Sequence, residues 1–141
     1  MRRIIPVTVL LACFFGYVAV AQAASTKYSV YIKNSTNATK KIYLGSDLGG
    51  TQNLASGSNM KKSTTDTAYW CDEKKHTHNF DVKTDTGQSY CTVTIWLKNE
   101  VTFFGKTKLT DYGYSSSDNS KCEVKKGSSG STYLDMEVTI K

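Results

Sequence analysis

An all-β fold is what this sequence predicts: a two-layer antiparallel β-sandwich of about seven or eight short strands, with a small β-barrel as the alternative. The first observation is residues 89–97, where Cys91, Val93, Ile95 and Leu97 alternate with Tyr90, Thr92, Thr94 and Trp96. Side chains leave a strand on alternate faces, so this run offers an aliphatic face to a core and a threonine and aromatic face away from it. The second observation is spacing, because turn formers recur about every ten residues between short runs rich in Thr, Ser, Tyr and Val. The third is that no segment carries the apolar period of an amphipathic helix.

Residues 1–23 are set apart from this pattern. Met1-Arg2-Arg3 is a basic head, residues 4–20 are apolar, and Ala21-Gln22-Ala23 is a small-x-small site, the three parts of a secretory signal peptide. The alternatives are an uncleaved anchor, or a lipoprotein acylated at Cys13 after Leu10-Leu11-Ala12. The expectation is a signal peptide over 1–23 and a single secreted domain over 24–141, extracellular or periplasmic and not transmembrane. Both arginines fall in the leader, so the net charge of +6 drops to about +4 and rests on lysine alone. A lysine ammonium is a hydrated point charge without the planar fork that reads phosphate or base edges in pairs. Diffuse attraction to anionic surfaces is therefore expected, and nucleic-acid recognition is not. Outside the leader the cysteines are Cys71, Cys91 and Cys122. Cys91 and Cys122 both alternate in phase with aliphatic neighbours, which favours a Cys91–Cys122 disulfide, with Cys71–Cys91 next.

The elements follow in order. Residues 27–33 read as a half-buried strand with Tyr28, Val30 and Ile32 on one face. Asn34 to Thr39 is a turn carrying two glycosylation sequons, at Asn34 and Asn37, and residues 41–44 return as a strand that stops at Gly45. Residues 46–63 lose their period and read as loop, with one short strand at 59–61. Strand character resumes over 64–71, a charged turn over 72–75 follows, and 79–83 forms a hairpin with the central strand through Asp85-Thr86-Gly87. Lys98-Asn99-Glu100 reads as the next turn, 101–109 as a strand with a bulge at Gly105, and 111–120 as a polar loop. Residues 121–126 and 132–141 close the domain as a hairpin around 127–130, with Leu134, Met136, Val138 and Ile140 in phase.

Two constellations could carry function. His76-Thr77-His78 would place both rings on one strand face, where with Cys71, Asp72 or Glu73 they could hold a metal or serve as acid and base. That spacing closes no known metal set and no nucleophile motif accompanies it, so a solvated turn is expected, with no metal and no cofactor. The aromatic set is Tyr90 and Trp96 on the non-core face and Tyr112 and Tyr114 in the polar loop. Flat rings beside lysines and hydroxyls suit a saccharide or a lipid headgroup, because they bury CH-rich surface while polar tips make hydrogen bonds. The bland alternative is a Tyr90–Trp96 packing role beneath other chain. Val30-Tyr31-Ile32-Lys33-Asn34 and Leu54-Ala55-Ser56-Gly57 also resemble turns of secreted sandwiches of the aegerolysin and thaumatin type, and that resemblance implies binding to a membrane lipid or surface polymer.

The function expected is a secreted, non-enzymatic binding module for a glycan, a lipid headgroup or an anionic surface, through Trp96, Tyr90, Tyr112 and Tyr114. Two further readings stand beside it. One is an inhibitor or interaction protein for a secreted enzyme, acting through 111–120, and the other is a small hydrolase using His76 or His78.

Overall fold

The computed structural model describes residues 24–68, 73–102 and 105–141. Nine strands and one 3-10 turn, Ser46–Leu48, are present among them: β1 Ala24–Asn34, β2 Lys40–Tyr43, β3 Thr51–Leu54, β4 Asn59–Ala68, β5 Lys74–Thr84, β6 Ser89–Val101, β7 Thr107–Ser116, β8 Cys122–Gly130 and β9 Tyr133–Ile140. They form two sheets, ordered β4-β1-β9-β8 and β3-β2-β5-β6-β7, that face each other as an open sandwich. Every pair is antiparallel except β1 and β9, which run parallel from Lys27↔Tyr133 to Asn34↔Ile140. The first and last strands thus lie side by side, a pairing that no local signal in the chain announces. Among the described residues, no helix is long and apolar enough to cross a membrane.

The core is the inward half of each alternating run. Val93, Ile95 and Leu97 of β6 are fully buried, and so are Tyr28 and Val30 of β1 and Leu134 and Ile140 of β9. Each such aliphatic side chain contributes roughly 1.5–3 kcal/mol by leaving water, which sets the parity of every strand. Cys91 of β6 and Cys122 of β8 are joined by a disulfide, with Cα atoms 6.2 Å apart, and it ties one sheet to the other.

Several expected boundaries move, among them the start of β5, which takes in Lys74 and Lys75 of the expected charged turn. Lys98-Asn99-Glu100 is no turn, since β6 continues to Val101 with only a register shift between Lys98 and Asn99. Asn99 faces inward, fully buried, and donates from Nδ2 to the Asp66 carbonyl (3.1 Å) and Thr26 Oγ1 (3.3 Å) of the opposite sheet. A residue that reads as a turn former is here an inter-sheet link. β7 pairs back onto β6 from Thr107, opposite Val101, and Gly105 just before it takes φ 72°. The stretch 111–116 is strand rather than loop, because it pairs with β6 from Lys98↔Asp111 to Val93↔Ser116. In the last hairpin, β8 runs on to Gly130, the slip at Lys126/Ser129 absorbs Gly127 and Ser128, and the chain reverses after Gly130. The presumed loop 46–63 holds the 3-10 turn, β3 and the start of β4, a strand that runs unbroken from Asn59. The leader with Cys13, and Tyr69, Trp70, Cys71, Asp72, Phe103 and Phe104, lie outside the described residues.

The two sequons differ. Asn34 is fully buried at the end of β1 and donates from Nδ2 to the carbonyls of Ala38 (2.9 Å), Leu54 (2.9 Å) and Ala55 (3.1 Å). Its Oδ1 accepts from the Thr36 amide at 3.1 Å and from the Thr36 hydroxyl at 2.7 Å. Asn37 is exposed. Asn34 is therefore a staple for three chain segments, and it would leave several buried polar groups unpaired if truncated.

Two stability measurements check this account. Asn34→Ala lowers the unfolding free energy by about 2–3 kcal/mol in a denaturant titration, and a loss below about 0.5 kcal/mol contradicts the staple. The double change Cys91→Ser, Cys122→Ser frees a loop of 31 residues. Loop-closure entropy sets its cost at roughly 3.5 kcal/mol, and no change in denaturation midpoint contradicts an intact inter-sheet bond.

Candidate functional site

The outward face of the five-stranded sheet carries Trp96. Its partner across β6 and β7 is Gly113, and the ring lies across that glycine: a Cβ there would stand 2.5–2.7 Å from Cζ2, Cε2 and Nε1 of the indole. Only glycine leaves room for the ring to rest on the backbone. The Lys75 ammonium sits 4.5 Å from the ring centroid, within range for a cation–π contact. Around the indole the same face holds paired hydroxyl and carbonyl groups. Thr94 Oγ1 donates to Asn79 Oδ1 and Thr92 Oγ1 to Asp81 Oδ1, each at 2.9 Å, and Thr77 stands directly opposite Trp96.

The other three aromatics do not join this face. Tyr90 falls where β5 and β6 slip, since Val82 pairs with Cys91 and Lys83 with Ser89, leaving Tyr90 as the extra residue. A bulge re-aims the side chain it carries. The Tyr90 ring packs against the core cluster, its hydroxyl donates to the Lys141 carbonyl, and the ammonium of buried Lys40 lies 3.9 Å from its centroid. Tyr90 closes one end of the sandwich. Tyr112 pairs with Leu97 and Tyr114 with Ile95, so both share the inward parity of the sheet at its edge strand. Tyr112 packs against the core with Lys126 5.3 Å from its ring, while Tyr114 remains 45% exposed. Sequence reasoning missed Asn79 and the exposed Tyr31 and Tyr133, which stand on the outward face of the other sheet. The outward parity of Tyr31 in its strand was the available signal.

His76 and His78 are not in a solvated turn. They lie in β5 on its inward side, and His78 is buried. Its Nε2 is 2.9 Å from Asp66 Oδ2, its Nδ1 3.2 Å from Asp47 Oδ2, and its ring stacks on Tyr28 with centroids 4.4 Å apart. His76 Nδ1 lies 3.4 Å from Asp66 Oδ1. Because His78 directs its two nitrogens to different carboxylates, the donors share no common centre. Among the described residues, no three His, Cys, Asp or Glu side chains could hold a metal ion. Glu73, expected beside the histidines, instead accepts from Thr110 Oγ1 at 3.2 Å. The Tyr28 hydroxyl and His76 Nε2 are buried without a hydrogen-bond partner. Burial first, then the charges of Asp66 and Asp47, push the Tyr28 phenol well above its ordinary range, so it stays neutral. Beside this cluster a cleft of about 530 Å³ opens between Asp47 and β5.

Compared with known proteins, the chain matches no family model and no curated sequence. The geometry alone must carry the functional reading.

An unpartnered buried hydroxyl stabilises nothing, so Tyr28→Phe is expected to be neutral or stabilising by up to about 1 kcal/mol. A loss above about 1 kcal/mol by thermal or chemical denaturation would reveal a partner for that hydroxyl.

Proposed function

We propose that the chain is a secreted, non-enzymatic binding module whose ligand, a surface glycan, lies on the outward face of the five-stranded sheet at Trp96. The observation that carries this reading is the indole lying across Gly113 and flanked by Thr77, Thr94 and Asn79. A sugar ring presents CH groups to such a plane and hydroxyls to its rim, and the rim here offers both donors and acceptors. Lys75 adds positive charge to the same face, while that of Lys98 is paired with Glu73, 3.9 Å away, and an acidic polymer or an anionic lipid headgroup would engage Lys75. Tyr90 and Tyr112 move from ligand contacts to framework in this reading, and Tyr114 is a peripheral contact at the edge. The Cys91–Cys122 disulfide and the leader pattern support secretion.

An inhibitory loop at 111–120 has less support, since 111–116 is tied into the sheet. A hydrolase built on His76 or His78 has less again. Both nitrogens of His78 face carboxylates, and the free nitrogen of His76 is buried away from any substrate.

Glycan arrays and anionic lipid vesicles probed with the purified protein test the proposal. Trp96→Ala should weaken binding by about tenfold or more, and Asn79→Ala by a few-fold. Binding unchanged by Trp96→Ala, or no binding to any glycan or vesicle, removes it.

A further inference from the structure

We propose that the free edge of β5 at residues 74–79 takes up an extended peptide segment with a lysine or arginine turned inward, by strand addition. β5 pairs with β6 along its whole length on one side, from Lys74↔Asn99 to Lys83↔Ser89. On its other side β2 covers only Asp81 to Thr84, because the chain leaves the sheet after Tyr43 and folds back through the 3-10 turn. Residues 74–79 therefore have no strand neighbour on that side among the described residues. The cleft of about 530 Å³ lies there, and it is lined by five consecutive residues, Lys75 to Asn79. Side chains alternate along a strand, so an unbroken run of lining residues means that the backbone edge itself faces the opening. Gly45, Asp47 and Asp66 complete the lining.

A ligand entering this slot meets backbone N–H and C=O groups that have no strand partner on that side among the described residues. An extended peptide satisfies them in the ladder pattern of a sheet, and alternate side chains then read the walls. Side chains of the added strand that point inward come opposite His76 and His78, where the acidic groups are Asp66 and Asp47, each within hydrogen-bond reach of a His78 nitrogen. Lys75 does not offset them, since its ammonium lies on the outward face beside Trp96. An inward cation is attracted there and an inward carboxylate repelled. Inward-pointing charge is also what keeps an open edge from pairing with any passing strand, so the slot is selective rather than sticky. The edge adjoins the Trp96 face and shares Lys75, Thr77 and Asn79 with it, but strand addition uses the backbone and the inward positions and so does not depend on glycan binding.

The test is an NMR titration of the ¹⁵N-labelled protein with three peptides: Ac-Thr-Lys-Thr-Lys-Thr-NH₂, its Glu-for-Lys counterpart, and the Lys peptide N-methylated at alternate amides. The Lys peptide should shift backbone amide signals within 74–79 and slow exchange of every second one by about tenfold, while the Glu and N-methylated peptides do neither. Asp47→Asn, a change at a side chain 44% exposed, should weaken the Lys peptide several-fold without loss of fold. Four results overturn the proposal: no shift at millimolar Lys peptide, equal binding by the Glu peptide, shifts confined to β4 or β7, or protection of these amides by self-association without peptide.

Discussion

Burial of the aliphatic face of β6 against the four-stranded sheet is the constraint on which everything else depends. Val93, Ile95 and Leu97 have no accessible surface, and each fixes the direction of the residue after it. Thr94 and Trp96 face outward because their neighbours must face inward, so a flat ring flanked by hydroxyl and amide groups is a by-product of core packing. Slipping β6 by one residue would put Trp96 into the sandwich and three aliphatic side chains into water.

The interior is not purely apolar, and its polar members are the ones that join chain segments distant in sequence. Asn34 ties the end of β1 to the β3–β4 connection, and Asn99 ties β6 to β1 and β4. His78 reaches from β5 to Asp66 on the opposite sheet and to Asp47 on the 3-10 turn. Burying such groups is costly unless they are bonded, so each fixes one arrangement of the segments it joins. The same logic explains the cleft: where β2 ends, no strand among the described residues pairs with that side of β5, and the histidine–aspartate cluster fills the sandwich behind that open edge.

Much of this was legible in the chain. Period-two alternation identified β6, β9 and β1, with the Cys91–Cys122 pair following from two cysteines in phase with aliphatic neighbours. What alternation cannot carry is a change of phase. Tyr90 reads as outward by parity from Thr92, yet the slip against Lys83 sends it into the end of the core. Tyr112 and Tyr114 sit among Asp, Gly and Ser, residues that signal a loop, but pairing with β6 and the seat that Gly113 gives Trp96 outweigh that local preference. Asp66 precedes His76 and His78 by 10 and 12 residues and Asp47 precedes His78 by 31, and only the stacking of two sheets brings them together. The parallel pairing of β1 and β9 is hidden for the same reason, being a matter of topology rather than of local pattern.

A lysine scan through residues 92–97, read as unfolding free energy in denaturant, addresses the parity of β6 directly. The account predicts a saw-tooth: about 1 kcal/mol or less lost at Thr92 and Thr94, and more than about 3 kcal/mol, or failure to fold, at Val93, Ile95 and Leu97. A flat profile, or one with its teeth at Thr92 and Thr94, would contradict it.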